Sequence, residues 1–330
     1  MKILVVRFSS IGDVVLTTPV IRALKQQLPN VEIHFLTKKP FASILRVNQY
    51  VDKVYMIDKS INECVSELKA EEFDWIIDLH NNLRTRSLKL KLRRPAKSFS
   101  KLNWKKWLLV KFKINNMPNV HIVERYFETV QHLGVKNDGH PCEFTIEKKN
   151  EVDVQKVFGV LPKQYLSIVI GAKFGTKQLP LEKIIEIISH ISIPIVLVGG
   201  PDDKDFGDQI VKSTTNRKVI NVSGRFNLQG SASILSQSSV VLTNDTGMMH
   251  IASTFDVRIV SVWGNTTPDL GMYPYRPSQN GSFTMHQVSG LKCRPCSKIG
   301  YSQCPKGHFD CMQKQNVSAI VKDLNEISLQ

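Results

Sequence analysis

The chain has 330 residues, with 44 Lys and Arg against 29 Asp and Glu, for a formal net charge of +15. Apolar residues make up 42% and charged residues 22%, which excludes a disordered chain, and six Cys in this length exclude a disulfide-stapled secreted scaffold. The length suggests about two domains, and the positive charge calls for an anionic partner: nucleic acid, a phosphorylated substrate or an anionic lipid surface.

Taken in chain order, Ile3–Val6 is a short β-branched run that reads as a strand. Neither a long apolar segment with a small-residue cleavage site nor about 18 consecutive apolar residues occurs, so the expectation is a cytoplasmic protein without signal peptide or membrane span. Val14–Leu28 carries apolar residues at helical spacing; Val31–Leu36, Val54–Ile57 and Trp75–Leu79 read as strands, with Ile61–Glu71 a helix between the last two. The pattern weakens after Arg93 and restarts with strand Tyr165–Ile170, helix Leu181–Ser189, strand Ile193–Val198, helix Asp205–Ser213 and strand Lys218–Val222. Helix Leu228–Gln237, strand Val240–Thr243, a helix from Thr246 and strand Arg258–Trp263 follow. Alternating strands and helices predict parallel sheets covered on both faces. Two doubly wound, Rossmann-like α/β domains are expected, 1–150 and 151–330, with the linker between Cys142 and Gln164 and a cleft between the halves.

The loop after the first strand reads Arg7-Phe-Ser-Ser-Ile-Gly-Asp13. It is neither a dinucleotide fingerprint nor a Walker A loop. Ser9, Ser10 and Gly12 supply hydroxyls and free backbone N–H groups in a tight turn. Asp13 stands where the next helix begins and has two readings: an N-terminal cap or a general base facing the cleft.

Between His80 and His121 there is no Asp or Glu, yet the stretch holds Arg84, Arg86, Lys89, Lys91, Arg93, Arg94, Lys97, Lys101, Lys105, Lys106, Lys111 and Lys113. Trp104, Trp107, Leu108, Leu109 and Phe112 are interleaved at near-helical spacing. The segment, about 84–113, reads as an amphipathic element for an anionic membrane surface. Nucleic acid competes, since phosphate contacts also use Lys and Arg, but no nucleic-acid fingerprint accompanies it and none is expected as a partner. Near the end, Cys293, Cys296, Cys304 and Cys311 lie at spacings that admit a structural zinc, with buried thiols as the plainer reading. Cys64 and Cys142 are isolated.

The segments RFSSIGDVVLTTPVIRALK, DLHNNLRTR, GAKFGTKQLP, LVGGPDD and TNDTGMMHIASTFDVRIVSVWGNTTP, in this order, resemble family 9 glycosyltransferases, the lipopolysaccharide heptosyltransferases that use ADP-heptose. The resemblance runs from Met1 to about Val321 and is weak from about Arg93 to Val120. It implies a GT-B fold, an acceptor-binding N-terminal domain and a nucleotide-sugar-binding C-terminal domain with a Cys-rich tail at 293–311. The implied activity is metal-independent transfer of heptose, with inversion, from ADP-heptose to a phosphorylated glycolipid of the Kdo-lipid A type. That places the enzyme at the inner face of the cytoplasmic membrane with no required cofactor. Another nucleotide sugar on the same fold, or a basic nucleic-acid-binding module, are the rival functions.

Carried over to this chain, the resemblance makes Asp13 the catalytic base and Lys177 a functional cation. Chemically, an ammonium at Lys177 can neutralise a leaving diphosphate. Leu179 stands where relatives often have an aromatic residue. Thr246-Gly247-Met248-Met249 opens a helix whose N–H groups can hold an anion, Asp245 before it is well placed as the N-cap, and the resemblance puts Asp245 and Thr246, with Gly247 and Met248, in the donor site. Thr176 and His250 join them as expected donor contacts, a satisfied structural role being the plainer reading for His250. Asp203 or Asp205 is expected on the ribose, and the choice between them is open. Arg7, Ser9, Ser10, Gly12, Arg84 and Arg86 are expected to meet phosphate or acceptor sugar.

Overall fold

The computed structural model describes residues 1–277 and 283–326. The first strand, β1 (Lys2–Val6), is followed by α1 (Ile11–Val15), α2 (Thr18–Gln27), β2 (Glu32–Lys38), β3 (Lys53–Ile57), α3 (Val65–Ala70), β4 (Trp75–Asp78), α4 (Leu83–Leu92) and β5 (Ala96–Ser98). These strands form one parallel sheet in the order β3-β2-β1-β4-β5. In the central β1 strand, Ile3, Leu4, Val5 and Val6 are fully buried, because a strand covered on both faces needs an unbroken apolar run rather than alternation.

The single helix expected over Val14–Leu28 is two helices. Pro19 has no N–H to continue the ladder. The carbonyls of Val14 and Val15 instead accept the hydroxyls of Thr17 and Thr18 at 2.6 and 2.8 Å. The helix expected at Ile61–Glu71 begins as a 3₁₀ turn and is α-helical only over α3. Strand β5, inside the basic segment, had no apolar pattern to announce it.

After β5 the chain forms α5 (Asn103–Phe112), then α6 (Ile122–Phe127). One compact unit comprises Met1–Leu102, Asn119–Thr145 and a short stretch from Tyr275; the other comprises Asn103–Pro118, Ile146–Pro274 and the chain from Phe283 onward. The division thus falls at 145/146 rather than 150/151, and the basic segment is shared: 84–102 belongs to the first unit and 103–113 to the second. Leu109 of α5 is buried, and Lys113 donates to the Pro295 carbonyl at 2.6 Å, so the helix is bound to the second unit. Within the first unit, buried Arg22 of α2 clamps the returning chain. It reaches both oxygens of Asp138 at 2.7 and 2.8 Å, Glu143 at 3.0 Å and the Pro141 carbonyl at 3.0 Å.

The second unit continues with α7 (Val154–Phe158), β6 (Leu166–Val169), α8 (Leu181–Ser189), β7 (Ile195–Val198), α9 (Lys204–Ser213), β8 (Val219–Asn221), α10 (Leu228–Ser236), β9 (Val240–Asn244) and α11 (Gly247–Ala252). β10 (Arg258–Trp263), β11 (Phe283–Gln287), α12 (Asp310–Gln313) and α13 (Val317–Asn325) complete it. Its parallel sheet runs β11-β10-β9-β6-β7-β8. Strand alternation divides its core in two. Leu166, Ile168, Ile195 and Leu197 pack on one face with α8 and α13, and Val169, Val196, Val198 and Val241 pack on the other. β7 starts at Ile195, after Pro194, two residues later than expected. Both units are the parallel-sheet α/β type of GT-B enzymes, as expected.

Candidate active site

In the first unit, the loop leaving β1 is organised by one guanidinium. Arg7 is buried; its Nε donates to the Ser9 carbonyl at 2.8 Å, Nη1 to the Leu79 carbonyl at 2.5 Å, and Nη2 pairs with Asp13 Oδ1. The other oxygen of Asp13 accepts the Ser10 N–H at 2.9 Å and the Ser10 hydroxyl at 2.8 Å. Asp13 does cap α1, from its third position, so capping and catalysis are not alternatives here. Its side chain keeps 19% exposure. Burial by itself would raise this carboxyl, but Arg7 and the two Ser10 donors outweigh burial and hold it at about 2. It is a carboxylate at every physiological pH.

Three neighbours escaped the sequence reading. The His80 ring lies 5.0 Å from that of Phe8; burial, with Arg7 and Lys101 near, pushes its pKa down to about 3, so the imidazole is neutral. Tyr126 is fully buried beside Arg7, with its hydroxyl unpartnered among the described residues and its ionisation suppressed by burial. Buried Asp78 accepts the N–H groups of His80 and Asn81 and pairs with Lys89 at 2.9 Å, fixing the chain just after β4. The Asp-Leu-His run, ending an apolar strand next to a turn, was the available signal. Arg84 is half-buried with its guanidinium 5.3 Å from the Phe8 ring centre, whereas Arg86 is exposed.

In the second unit a different pair forms. Lys177 Nζ lies 2.6 Å from Asp245 Oδ2 and 3.1 Å from the Asp245 carbonyl, and the Thr266 hydroxyl donates to the same Oδ2 at 2.8 Å. The N-cap of α11 is Thr246 and not Asp245 as expected, the Asp245 carboxylate being taken by Lys177 and Thr266; the Thr246 hydroxyl is buried with no partner among the described residues. Helix α11 has six residues, so its dipole is short. Gly247 and Met248 begin the helix, and His250 is buried inside it. Thr176 is buried and spent on the tail: its N–H and hydroxyl donate to the Tyr301 carbonyl at 3.1 and 3.0 Å, and the Tyr301 N–H returns to its hydroxyl at 2.8 Å.

The structure separates the two acidic candidates after β7. Asp203 turns inward, accepting the Gly200 N–H at 2.8 Å, and its carboxyl is raised by burial. Gly171 and Gly199, at the ends of β6 and β7, leave the room it occupies: a Cβ on either would meet Asp203 atoms at 2.1 and 2.7 Å. Asp205 is exposed in the first turn of α9. The residue missed in this unit is Thr266, whose bond to Asp245 spans 21 residues.

Cys293, Cys296, Cys304 and Cys311 are free thiols, and Cys311 is buried against the core with its thiol pushed up to about 12 by burial. Among the described residues, three metal-type ligand atoms come within 4.8 Å of one another in one place, Glu32–His34–Glu71, and not at these cysteines. At that place Lys2 and Lys53 already sit on the two oxygens of Glu71 at 2.7 and 2.6 Å, so the group is an ion-pair cluster. No helix of the described residues is long and apolar enough to cross a membrane.

The chain is similar to lipooligosaccharide heptosyltransferase 2 of Haemophilus influenzae, at 24% identity over 298 residues that cover 81% of this chain and 84% of the relative. Its fold is that of E. coli ADP-heptose lps heptosyltransferase II (TM-score 0.72, 17% identity, 100% and 99% of the two chains). It is also that of E. coli heptosyltransferase WaaC, solved with ADP-2-deoxy-2-fluoro heptose (TM-score 0.65, 19% identity, 99% of each chain). The family model described as glycosyltransferase family 9 (heptosyltransferase) matches residues 61–301. With that match over more than half of its length, the chain belongs to glycosyltransferase family 9 and is a glycosyltransferase.

Proposed function

We propose that this enzyme moves heptose from ADP-heptose to the inner core of lipopolysaccharide by a single displacement with inversion and without a metal. An acceptor hydroxyl attacks the anomeric carbon as the bond from that carbon to the diphosphate breaks. ADP leaves with the bonding electron pair, and the hydroxyl proton passes to Asp13. A carboxylate held at about 2 is a weak base toward an alcohol. It serves when proton loss is late, after the anomeric centre has become oxocarbenium-like and the attacking oxygen acidic. The observation that carries the reading is this ionised, partly exposed carboxylate fixed at the end of β1 by Arg7 and Ser10.

In this scheme Lys177 and the Thr246 hydroxyl receive the diphosphate, Asp203 rather than Asp205 binds ribose, and Asp245 aims the lysine. Arg7 and Thr176 are positioning residues: their hydrogen-bonding groups are committed to protein partners. Ser9, Ser10, Arg84 and Arg86 meet the acceptor. The family membership and the solved E. coli relative carrying an ADP-heptose analogue support the donor. The exposed aromatics and cations of α5 support a peripheral position at an anionic membrane surface.

The test is thermal stability with ADP-heptose, ADP, UDP, GDP and NAD, with EDTA throughout. A ligand at about 100 times its Kd adds roughly 2.7 kcal/mol, which raises Tm by roughly 2 °C or more in a protein of this size. A shift with ADP and ADP-heptose alone is expected. A shift with UDP or GDP instead keeps the reaction and discards heptose, and no shift with any of them overturns the proposed donor and the roles built on it.

A further inference from the structure

The second unit contains a cavity of about 240 Å³ whose lining includes none of the residues assigned to the transfer above. Its walls come from the end of α5 (Leu109, Lys113, Asn115), the turn after β10 (Thr267, Asp269), the chain after β11 with Ser289, and Arg294. Two cations line it, and both are held by neutral oxygens. Arg294 donates to the carbonyls of Gly264 and Thr266 at 2.6 and 2.7 Å and to the Gln287 side-chain oxygen at 2.7 Å. Its Nη1 makes no hydrogen bond among the described residues. Lys113 donates to the carbonyls of Val110 and Pro295 at 2.7 and 2.6 Å. Burial lowers the pKa of both groups, while the Asp269 carboxylate opposes that at Arg294. The one carboxylate in the wall, Asp269, accepts from Asn115 at 3.0 Å. Two cations against one carboxylate leave the cavity electropositive.

The helix that forms one wall has an unusual outer face. Trp104 is 68% exposed, Trp107 45% and Phe112 54%. The two indoles stack at 4.8 Å, and the Phe112 ring meets Trp107 edge-on at 5.1 Å. Lys105 and Lys111 are exposed on the same short helix, and the stretch 103–118 has no acidic residue. An exposed aromatic ridge with flanking cations matches the interface of an anionic bilayer, where rings enter the acyl boundary and ammonium groups stay with the headgroups.

Resting on the membrane reading above, we propose that α5 lies on the bilayer and that the cavity at its C-terminal end receives the phosphomonoester headgroup of an anionic lipid. A monoester phosphate carries close to two negative charges near neutral pH, where a diester carries one. Lys113 and Arg294 supply two positive charges, and Thr267, Asn115 and Ser289 supply uncharged polar groups. The aromatic ridge selects a lipid-borne phosphate over a soluble one.

The experiment is co-sedimentation of the full chain with phosphatidylcholine vesicles carrying either phosphatidic acid, a monoester, or phosphatidylglycerol, a diester, at equal surface charge. Roughly tenfold tighter binding to phosphatidic acid is expected, the worth of one charge-assisted contact. Ser289→Glu, which adds a carboxylate at an exposed edge of the cavity, and Lys113→Gln should each abolish that preference while leaving phosphatidylglycerol binding in place. Trp104→Ser with Trp107→Ser should weaken both equally. Equal wild-type affinity for the two lipids overturns the proposal, as does a preference that survives both cavity variants. Inorganic phosphate that saturates the protein, with no lipid preference, also overturns it and marks a soluble-anion site. The ADP-heptose thermal shift on the same variants separates this failure from failure of the transferase reading.

Discussion

Each unit ends a central parallel strand in a cation–carboxylate pair, and the two pairs are built for opposite purposes. Arg7 spends all three nitrogens on protein oxygens, so its planar fork cannot turn without releasing Ser9, Leu79 and Asp13 together. Lys177 is a point charge on a flexible stem, resting on the carboxylate and carbonyl of one residue. On the proposed roles, the first pair immobilises the carboxylate that accepts a proton, and the second keeps a cation near its place while leaving it able to turn from Asp245 to a diphosphate. Arginine in one and lysine in the other follows from that division.

The sharpest way to break this contrast is Asp13→Asn. It keeps the size and some of the hydrogen bonds but removes the base, and transfer should fall by ~10²–10⁴-fold with donor affinity unchanged in calorimetry; unaltered turnover would leave Asp13 as a cap alone. Next is Lys177→Ala, where the loss should appear first in donor binding. Losing a charged contact of about 1.5–3 kcal/mol raises the donor Kd roughly 10- to 100-fold, while binding of acceptor alone stays the same. Lys177→Arg should restore only part, because a rigid fork does not replace a mobile ammonium.

Acid unfolding reads the same contrast through stability. The Asp13 carboxyl is lower in the folded chain, at about 2, than in an unfolded one. Its contribution, ~2 kcal/mol from a shift of this size, is therefore present above about pH 4 and lost as pH falls toward 2. The denaturant midpoint of the wild type should fall as pH drops across that window, and Asp13→Asn should lessen the fall. The smallest effect is expected at the strand-end acids: Asp203→Asn should weaken ADP binding by roughly tenfold, and Asp205→Asn should leave it within experimental error. The reverse result would move the ribose contact to α9.

The Ser-Ser-Ile-Gly-Asp13 loop was legible because its chemistry is contiguous: the strand, the turn and the carboxylate follow one another within a dozen residues. The grip on it was not, since Arg7 reaches a carbonyl 72 positions away, at Leu79. Parallel sheets bring together strand ends that are far apart in sequence, and no local periodicity encodes which ends meet. The α5 helix teaches the same lesson. Its aromatic and basic spacing announced an amphipathic helix, but nothing local said that Leu109 would bury itself in the second unit rather than the first. The break before α2 could have been foreseen, because Thr17-Thr18-Pro19 supplies both the missing donor and the hydroxyls that replace it. The choice between Asp203 and Asp205 needed coordinates, because both sit after the same strand and only the space left by Gly171 and Gly199 distinguishes them.

The mutual bonding of Thr176 and Tyr301 also has a meaning in time. The two residues are 125 positions apart, and the three hydrogen bonds between them join the loop that carries Lys177 to the cysteine-rich tail. At roughly 5–20 residues per second of synthesis, the lysine loop of a growing chain waits several seconds on the ribosome for its anchor. A nascent chain can then hold its first sheet and most of its second before the anchor of this loop exists. On the proposed roles, competence to use an activated sugar arrives late in translation, after Asp13 is already in place.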